Sequence, residues 1–442
     1  MADTDPQLPS APIDRLTEPV SRFLHVQSAS GIVLLLLTVL ALALANSPWS
    51  AEFLAFWKTP VGFSVGDFQM LYTLKHWIND GLMAIFFFLV GLEVKRELVL
   101  GELRDFRSAA LPLAAALGGM VAPALIYLAL QRGEPGERGW GIPMATDIAF
   151  VVGCLAVLGS RVPKGLRVLL LSLAIIDDIG AILVIAVGYS ADLNLLALGL
   201  GFAGIVLVTI LQRVGVRSVP VYVIVGMGIW FAFHESGVHA TIAGVILGLM
   251  TPVRPWVDRG LLADMIDQMG DFLHGGDRPD DFDRQAAVKT VARAATETIS
   301  PLERLETALH PWVSFLIMPL FAFANAGVPF ELELLTSPVS LAVIAGLFVG
   351  KPVGIVLLSY LAVATGVAKL PAGISWKMLA AGGVLSGIGF TMSIFIAGLA
   401  LNDDLLSAAK VGILLGSTLA AVLGMVLLLA TLPRATAAAA ET

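Results

Sequence analysis

Charge is what this sequence has least of. Asp, Glu, Lys and Arg make up 14% of its 442 residues, against roughly 25% in soluble domains. Such a chain cannot cover its own surface with polar groups, which excludes a soluble enzyme and a disordered scaffold. Cysteine is nearly absent. The single Cys154 can form no internal disulfide, which excludes a disulfide-built secreted domain, and its apolar surroundings read as those of an inert thiol. No basic run occurs and the net charge is −7, so nothing points to nucleic acid. A basic leader is missing too. Residues 1–25 carry Asp3, Asp5, Asp14 and Glu18 where a signal peptide would open with positive charge. The first apolar run, Gly31 to Ala45, is therefore expected to be a retained span.

Apolar residues are what the chain has instead. They account for 57% of it, and the mean hydropathy is +0.87. A spanning helix needs ~20 mostly apolar residues. Twelve candidates are predicted, at about 28–47, 76–98, 109–130, 139–160, 168–189, 193–212, 219–234, 237–252, 306–327, 339–363, 378–401 and 410–432. Loop charge checks this count, because cytoplasmic loops carry the excess of Lys and Arg. With both termini on one side, that side receives 21 of the 27 basic residues and the opposite side five, leaving only Lys351 inside a span.

The expected fold class is therefore an all-α polytopic membrane protein with twelve transmembrane helices and both termini cytoplasmic. Residues 1–27 form a cytoplasmic segment, 28–252 hold spans 1–8, 253–305 form a long Asp- and Arg-rich cytoplasmic connection, 306–432 hold spans 9–12, and 433–442 form a tail. The external segment 48–75 contains the alternating run Val61 to Phe68, which reads as a small hairpin and a candidate homodimer contact.

An ionisable side chain at membrane depth costs several kcal/mol and marks a functional site by default. Four fall near span midpoints: Asp147 in the fourth span, Asp177 and Asp178 in the fifth, and Lys351 in the tenth. Neighbours i and i+1 on a helix point about 100° apart, so the two adjacent aspartates cannot share one role. One can pair with Lys351 while the other faces a wet cavity. Loss of water disfavours charge on carboxylates and amines alike, which lets such groups exchange protons near neutral pH. Carboxylate, hydroxyl and carbonyl oxygens also suit a small hard cation. A proton and that cation would compete for the same oxygens.

Spans 4 and 11 carry breaks. Pro143 removes a backbone donor in one, Gly387-Ile-Gly389 loosens the other, and Thr146 and Thr391 stand beside them. Interrupted spans in corresponding positions of two halves point to a transporter binding site. Asp147 and Lys351 are placed to neutralise the positive and negative half-helix ends respectively.

Several motifs resemble the NhaA family of sodium/proton antiporters: Gly91-Leu-Glu-Val-Lys-Arg-Glu97, Ala145-Thr-Asp-Ile-Ala-Phe150, Ala174-Ile-Ile-Asp-Asp178, Ser236-Gly-Val-His-Ala-Thr241, His310-Pro-Trp312, Phe321-Ala-Phe-Ala-Asn-Ala-Gly327, Gly350-Lys-Pro352 and Gly387-Ile-Gly-Phe-Thr-Met-Ser393. The resemblance covers about 28–252 and 301–432. It implies inverted-topology repeats, Asp178 as cation ligand with Asp177 paired to Lys351, and Asp147 and Thr146 at the crossing of the broken helices. It also implies a cytoplasmic pH-sensing cluster of Glu93, Arg96, Glu97 and Glu306, with His239 and Asp80 at positions linked to pH response and activity. His310 lies one turn beyond Glu306 and titrates near physiological pH. Thr307 stands where some members carry a histidine, and the 253–305 connection is longer than the family minimum.

The implied function is exchange of cytoplasmic Na+ for external H+ across a bacterial inner membrane, electrogenic and activated at alkaline pH. Li+ is a second implied substrate, with the lipid bilayer as surroundings. No cofactor is expected, since Na+ or Li+ enters as cargo. A sodium-coupled solute symporter is the alternative, because broken helices also bind organic substrates. An intramembrane aspartyl protease would present Gly-x-Gly-Asp, which does not occur here, nor does a His-Glu-x-x-His metalloprotease motif.

Overall fold

The computed structural model describes residues 27–66, 68–189, 193–274 and 281–432. Nearly all of the sequence-predicted segment 1–27, the tail 433–442 and part of the 253–305 connection lie outside these residues.

In chain order the elements are α1 (Gln27–Ala45), α2 (Ser50–Trp57), strands β1 (Pro60–Val65) and β2 (Phe68–Thr73), α3 (Leu74–Val99) and α4 (Phe106–Gln131). A 3₁₀ segment, Glu137–Met144, precedes α5 (Ile148–Leu158). There follow α6 (Lys164–Gly188), α7 (Leu195–Val214), α8 (Val219–Glu235), α9 (Thr241–Met250), α10 (Arg259–His274), α11 (Asp281–Glu297), α12 (Pro301–Asn325), α13 (Leu332–Thr336), α14 (Pro338–Ala364), α15 (Trp376–Leu385), α16 (Phe390–Ala400) and α17 (Asp403–Thr431).

Eight of the described helical stretches are long and apolar enough to cross a membrane. Two bent pairs, Ala29–Ala45 with α2 and α15 with α16, pass the same test jointly, and α8 and α9 are shorter apolar helices. Their outer faces carry large aliphatic side chains in the open, such as Leu196 at 77% exposure on α7 and Leu36 at 62% on α1. Lipid is the solvent such surfaces fit. The protein is thus an all-α, multi-pass membrane protein.

Boundaries differ from the sequence reading where turn and cap chemistry intervenes. α9 is only ten residues long, because Gly237 turns the chain at a φ of 80° and residues 236–240 are spent on that turn. α12 starts at Pro301, preceded by Ser300, whose Oγ accepts from the backbone N–H of Glu303 at 3.1 Å. α17 starts at Asp403, and its first turn holds Asp403 and Asp404, where the helix dipole favours negative charge. The 48–75 segment is part helix: α2 leaves α1 at a 119° bend, and the hairpin pairs Pro60–Val65 against Phe68–Thr73 in antiparallel register. Trp77 Nε1 ties it down by donating to the carbonyl of Val61 at 2.8 Å.

The chain divides into two compact units. The first comprises Met1–Asn79, Ala110–Val184 and Pro311–Thr442. Here α1 packs on α5 and on the second half of α12, while α17 packs on α14 and α15. Backbones touch where α4 crosses α14: a Cβ on Gly118 would fall 2.0 Å from the carbonyl oxygen of Gly354, and one on Gly354 equally close to that of Gly118. Only glycine fits both sides of such a crossing.

The second unit comprises Asp80–Ala109 and Ile185–His310. Gly91 and Gly244 let α3 and α9 meet backbone to backbone, a Cβ on Gly244 reaching to 2.2 Å from Ala84 O. Val208, Ile229, Phe233 and Ala243 form the apolar centre joining α7, α8 and α9. In the 253–305 connection, α10 and α11 pack on each other. The guanidinium of Arg217 lies 3.8 Å above the Trp256 ring and 3.8 Å from a Glu297 carboxylate oxygen.

Candidate functional site

The break before α5 is the starting point in the first unit. Pro143 sits in the tight 3₁₀ segment, and Ala145 then turns extended with φ −76° and ψ 148°. The extended run continues through Asp147, at φ −88° and ψ 98°, before α5 begins. The Asp147 backbone N–H donates outward to the carbonyl of Ile388 at 2.7 Å, in the opposing break between α15 and α16. Those two halves meet at 51°. Each break thus supplies a backbone partner that the other has lost.

Asp147 caps both half-helices that start here. Its Oδ1 accepts from the backbone N–H of Phe150 in α5 at 3.2 Å. Its Oδ2 accepts from the backbone N–H of Thr391 in α16 at 3.0 Å and also from the Thr391 hydroxyl. One carboxylate therefore faces the positive ends of two helix dipoles. Ser417 of α17 assists, its Oγ accepting from Gly389 N at 3.2 Å and Phe390 N at 3.1 Å.

Lys351 serves the opposite polarity. Its Nζ donates to the carbonyl of Met144 at the end of the 3₁₀ segment and lies 3.1 Å from Asp177 Oδ2. The same Oδ2 accepts from the Thr146 hydroxyl at 2.6 Å, and that hydroxyl is 3.1 Å from the Ser386 carbonyl oxygen. Asp177 Oδ1 accepts no hydrogen bond among the described residues. Asp178 follows along α6 at 2% exposure, and its charge acts on Lys351. Thr146, Asp177, Lys351 and Thr391 are completely shielded from solvent. The structure thus gathers Asp147, Thr146, Asp177, Asp178, Lys351 and Thr391 in one buried cluster of three carboxylates and one amine. Carboxylate oxygens such as these are able to accept either a proton or a small hard cation.

The second unit holds another charged group. Arg96 of α3 bonds Glu306 of α12 and lies 3.6 Å from Glu97. Glu93, one turn earlier on α3, feels the charges of Glu306, Arg96 and Glu97, and the charge of Arg96 also reaches His310. So Glu93, Arg96, Glu97, Glu306 and His310 form one electrostatic cluster. His239 also has a neighbour within its own loop: its Nδ1 lies 3.1 Å from Thr241 Oγ1, at the start of α9. Asp80 has a different neighbour, His234 of α8, with Nδ1 3.6 Å from the Asp80 Oδ2.

Comparison with known proteins decides the family. A family model described as Na+/H+ antiporter 1 matches residues 21–428. A Na(+)/H(+) antiporter NhaA from Rhizobium meliloti is 55% identical over 434 residues, covering 98% of this chain and 99% of that protein. One from Rhodopirellula baltica is 54% identical over 436 residues, covering 97% and 98%, and the NhaA 2 protein of Vibrio vulnificus is 50% identical over 422 residues, covering 96% and 94%. The chain belongs to the NhaA antiporter family. These relatives are named as transporters, not enzymes.

Within this NhaA-family fold, several contributors lie beyond the reach of sequence reasoning. The Met144 and Ser386 carbonyls act through their backbone, which no side-chain pattern reports. Ser393 was legible only as part of the Gly387–Ser393 motif, yet its hydroxyl donates to the Ile142 carbonyl at 2.7 Å and closes another open 3₁₀ end. Ser417 sits in an unremarkable apolar helix. His234 lies between Phe233 and Glu235 with no local signal that Asp80 is its partner.

Proposed function

We propose that the protein exchanges cytoplasmic Na+ for external H+, with Li+ as a second substrate. Asp178 and Asp177 are the cation-binding and proton-accepting groups, Thr146 and Asp147 hold the broken helices around them, and Lys351 is the counter-charge that Asp177 engages. The observation carrying this reading is the buried Asp177–Lys351 pair at 3.1 Å, beside a second carboxylate and the carbonyls of two opposed helix breaks. A cation arriving at these oxygens displaces protons, because two positive charges cannot share them in so little water.

Two titratable groups per cation position make the exchange electrogenic. Moving one charge across 100 mV is worth about 2.3 kcal/mol, so an inside-negative potential drives sodium out. Proton competition at the carboxylates sets activation toward alkaline pH, and the Glu93–Arg96–Glu97–Glu306 cluster, with His310 and His239, adds a separate gate.

The architecture belonging to this function has twelve crossings, with α1, the bent pair α15–α16 and the short helices α8 and α9 each counting as a span, and an inverted repeat relating spans 3–5 to 10–12. Both breaks fall at the second element of their triplet, which supports that pairing. The 21-to-5 distribution of basic residues supports cytoplasmic termini in a bacterial inner membrane. Residues 48–75, with the open edges of a two-stranded hairpin, are the homodimer contact.

The test uses everted membrane vesicles with a preformed pH gradient. Sodium alone collapses the gradient if the chain is an antiporter. A gradient that persists until an organic solute is added would replace the reading with a symporter.

A further inference from the structure

α3 does not run regularly through its first half. Residues Trp77–Leu82 form a wide turn with i→i+5 spacing, and turns of this kind cluster at functional sites because they free backbone carbonyls. Asp80 sits inside that turn. Its carbonyl oxygen accepts from Trp230 Nε1 of α8 at 3.1 Å. The Trp230 ring stacks on His234 one turn further along α8, with centroids 5.8 Å apart and planes 11° from parallel. His234 Nδ1 in turn lies 3.6 Å from Asp80 Oδ2. Tryptophan therefore fixes both members of the pair: it anchors the aspartate by its backbone and holds the imidazole by its face.

Both side chains are largely shielded, with 18% exposure for His234 and 14% for Asp80, so their interaction is screened less than a surface pair. Glu235, exposed and next in the chain, is a further charged neighbour acting on His234. His76 stands one helical turn before Asp80 in sequence.

We propose that His234 is the positioning residue of Asp80: when protonated it holds the carboxylate in an ion pair, and on losing its proton it frees that carboxylate for the transport cycle. The inference rests on the reading that Asp80 takes part in exchange. Its consequence has a definite sign. On the acid side the imidazole is charged and Asp80 is occupied. On the alkaline side the imidazole is neutral, the ionic attraction is lost, and the carboxylate becomes available to a cation.

The experiment is sodium-induced collapse of the pH gradient in everted vesicles, recorded from about pH 6 to pH 9 to span the imidazole range. Wild type, His234→Gln, His234→Arg and Asp80→Asn are compared, each profile normalised to its own maximum so that the amount of folded protein drops out. Gln cannot become charged, so its midpoint moves to lower pH by about half a unit or more. Arg stays charged throughout, so its midpoint moves the opposite way. Opposite shifts are what a merely space-filling histidine would not produce. Two histidine-variant profiles that superimpose on wild type, or shift in the same direction, beside an impaired Asp80→Asn, overturn the role of His234. Wild-type exchange by Asp80→Asn overturns instead the reading of Asp80 on which the inference stands.

Discussion

Replacing Asp177 with Asn removes the negative partner of Lys351 while keeping the shape of the side chain. At 3.1 Å, with an effective dielectric of about 20, the pair attracts by ~5 kcal/mol. Part of this offsets the desolvation of the two ions, and losing one member of a buried pair is destabilising by about 3–5 kcal/mol. Two local features place the variant at the lower end of that range. The Met144 carbonyl still accepts from Nζ, and the charge of Asp178 still acts on the amine. A loss of about 3 kcal/mol is expected, together with reduced exchange. The sharper expectation concerns the double variant Asp177→Asn/Lys351→Met. Methionine removes the stranded charge and fills similar volume, so the double variant should recover at least ~1.4 kcal/mol over the single one, a factor of ten in the folding equilibrium. Unfolding by SDS in mixed micelles, followed by intrinsic fluorescence, gives both values. If the two substitutions destabilise additively, the amine does not depend on Asp177 for its place in the core, and the ion-pair argument is refuted.

Asp178→Asn should abolish sodium-induced exchange while destabilising the fold less than Asp177→Asn, because Asp178 is assigned to the cation and not to the amine; wild-type exchange in vesicles would remove it from the site. Glu306→Gln takes from Arg96 its bonded partner and should displace the pH midpoint of exchange by about half a unit, ~0.7 kcal/mol of differential interaction, whereas a superimposed profile would take Glu306 out of the pH response. Asp147→Asn should weaken the caps of α5 and α16 together by about 1–2 kcal/mol, read as the same SDS-unfolding shift, and no shift would mean that the two helix ends are held by other groups. Gly118→Val forces a side chain into the backbone of α14 and should reduce folded protein sharply, while Gly199→Ala, on α7 with nothing within 4 Å of its added carbon, should leave the yield near wild type; equal yields would argue against the glycine crossing.

Much of this was legible in the sequence because membrane burial makes certain residues conspicuous. A lysine and three aspartates in apolar runs announce themselves, since only pairing or function explains them at that depth. The breaks were legible through Pro143 and Gly387-Ile-Gly389 for a similar reason: both loosen a backbone that lipid would otherwise keep regular. What stayed hidden was information of another kind. Lys351 and Met144 are far apart in the chain and joined through a carbonyl, a group that every residue carries. His234 and Asp80 are brought together by the crossing of α3 and α8, and nothing in either segment encodes a distance. Helix starts such as Pro301, with its Ser300 cap, and Asp403, with its first-turn acids, lie just outside the apolar runs, where hydropathy falls silent.

The glycine crossing of α4 and α14 carries a mechanical consequence. Lys351 lies one turn before Gly354, and a carbon added to Gly119 on the facing helix would come 3.7 Å from Lys351 Cε. The aliphatic stem of the lysine thus runs along the surface of α4, on a pair of helices whose main chains already touch. Backbones in contact leave no side-chain layer between them, so α4 and α14 are packed tightly at the turn that carries Lys351. From that fixed stem the amine reaches Asp177 and the Met144 carbonyl at once. In the proposed transport cycle the ammonium group is therefore expected to move less than the carboxylates of α6 and the carbonyls of the two breaks that surround it.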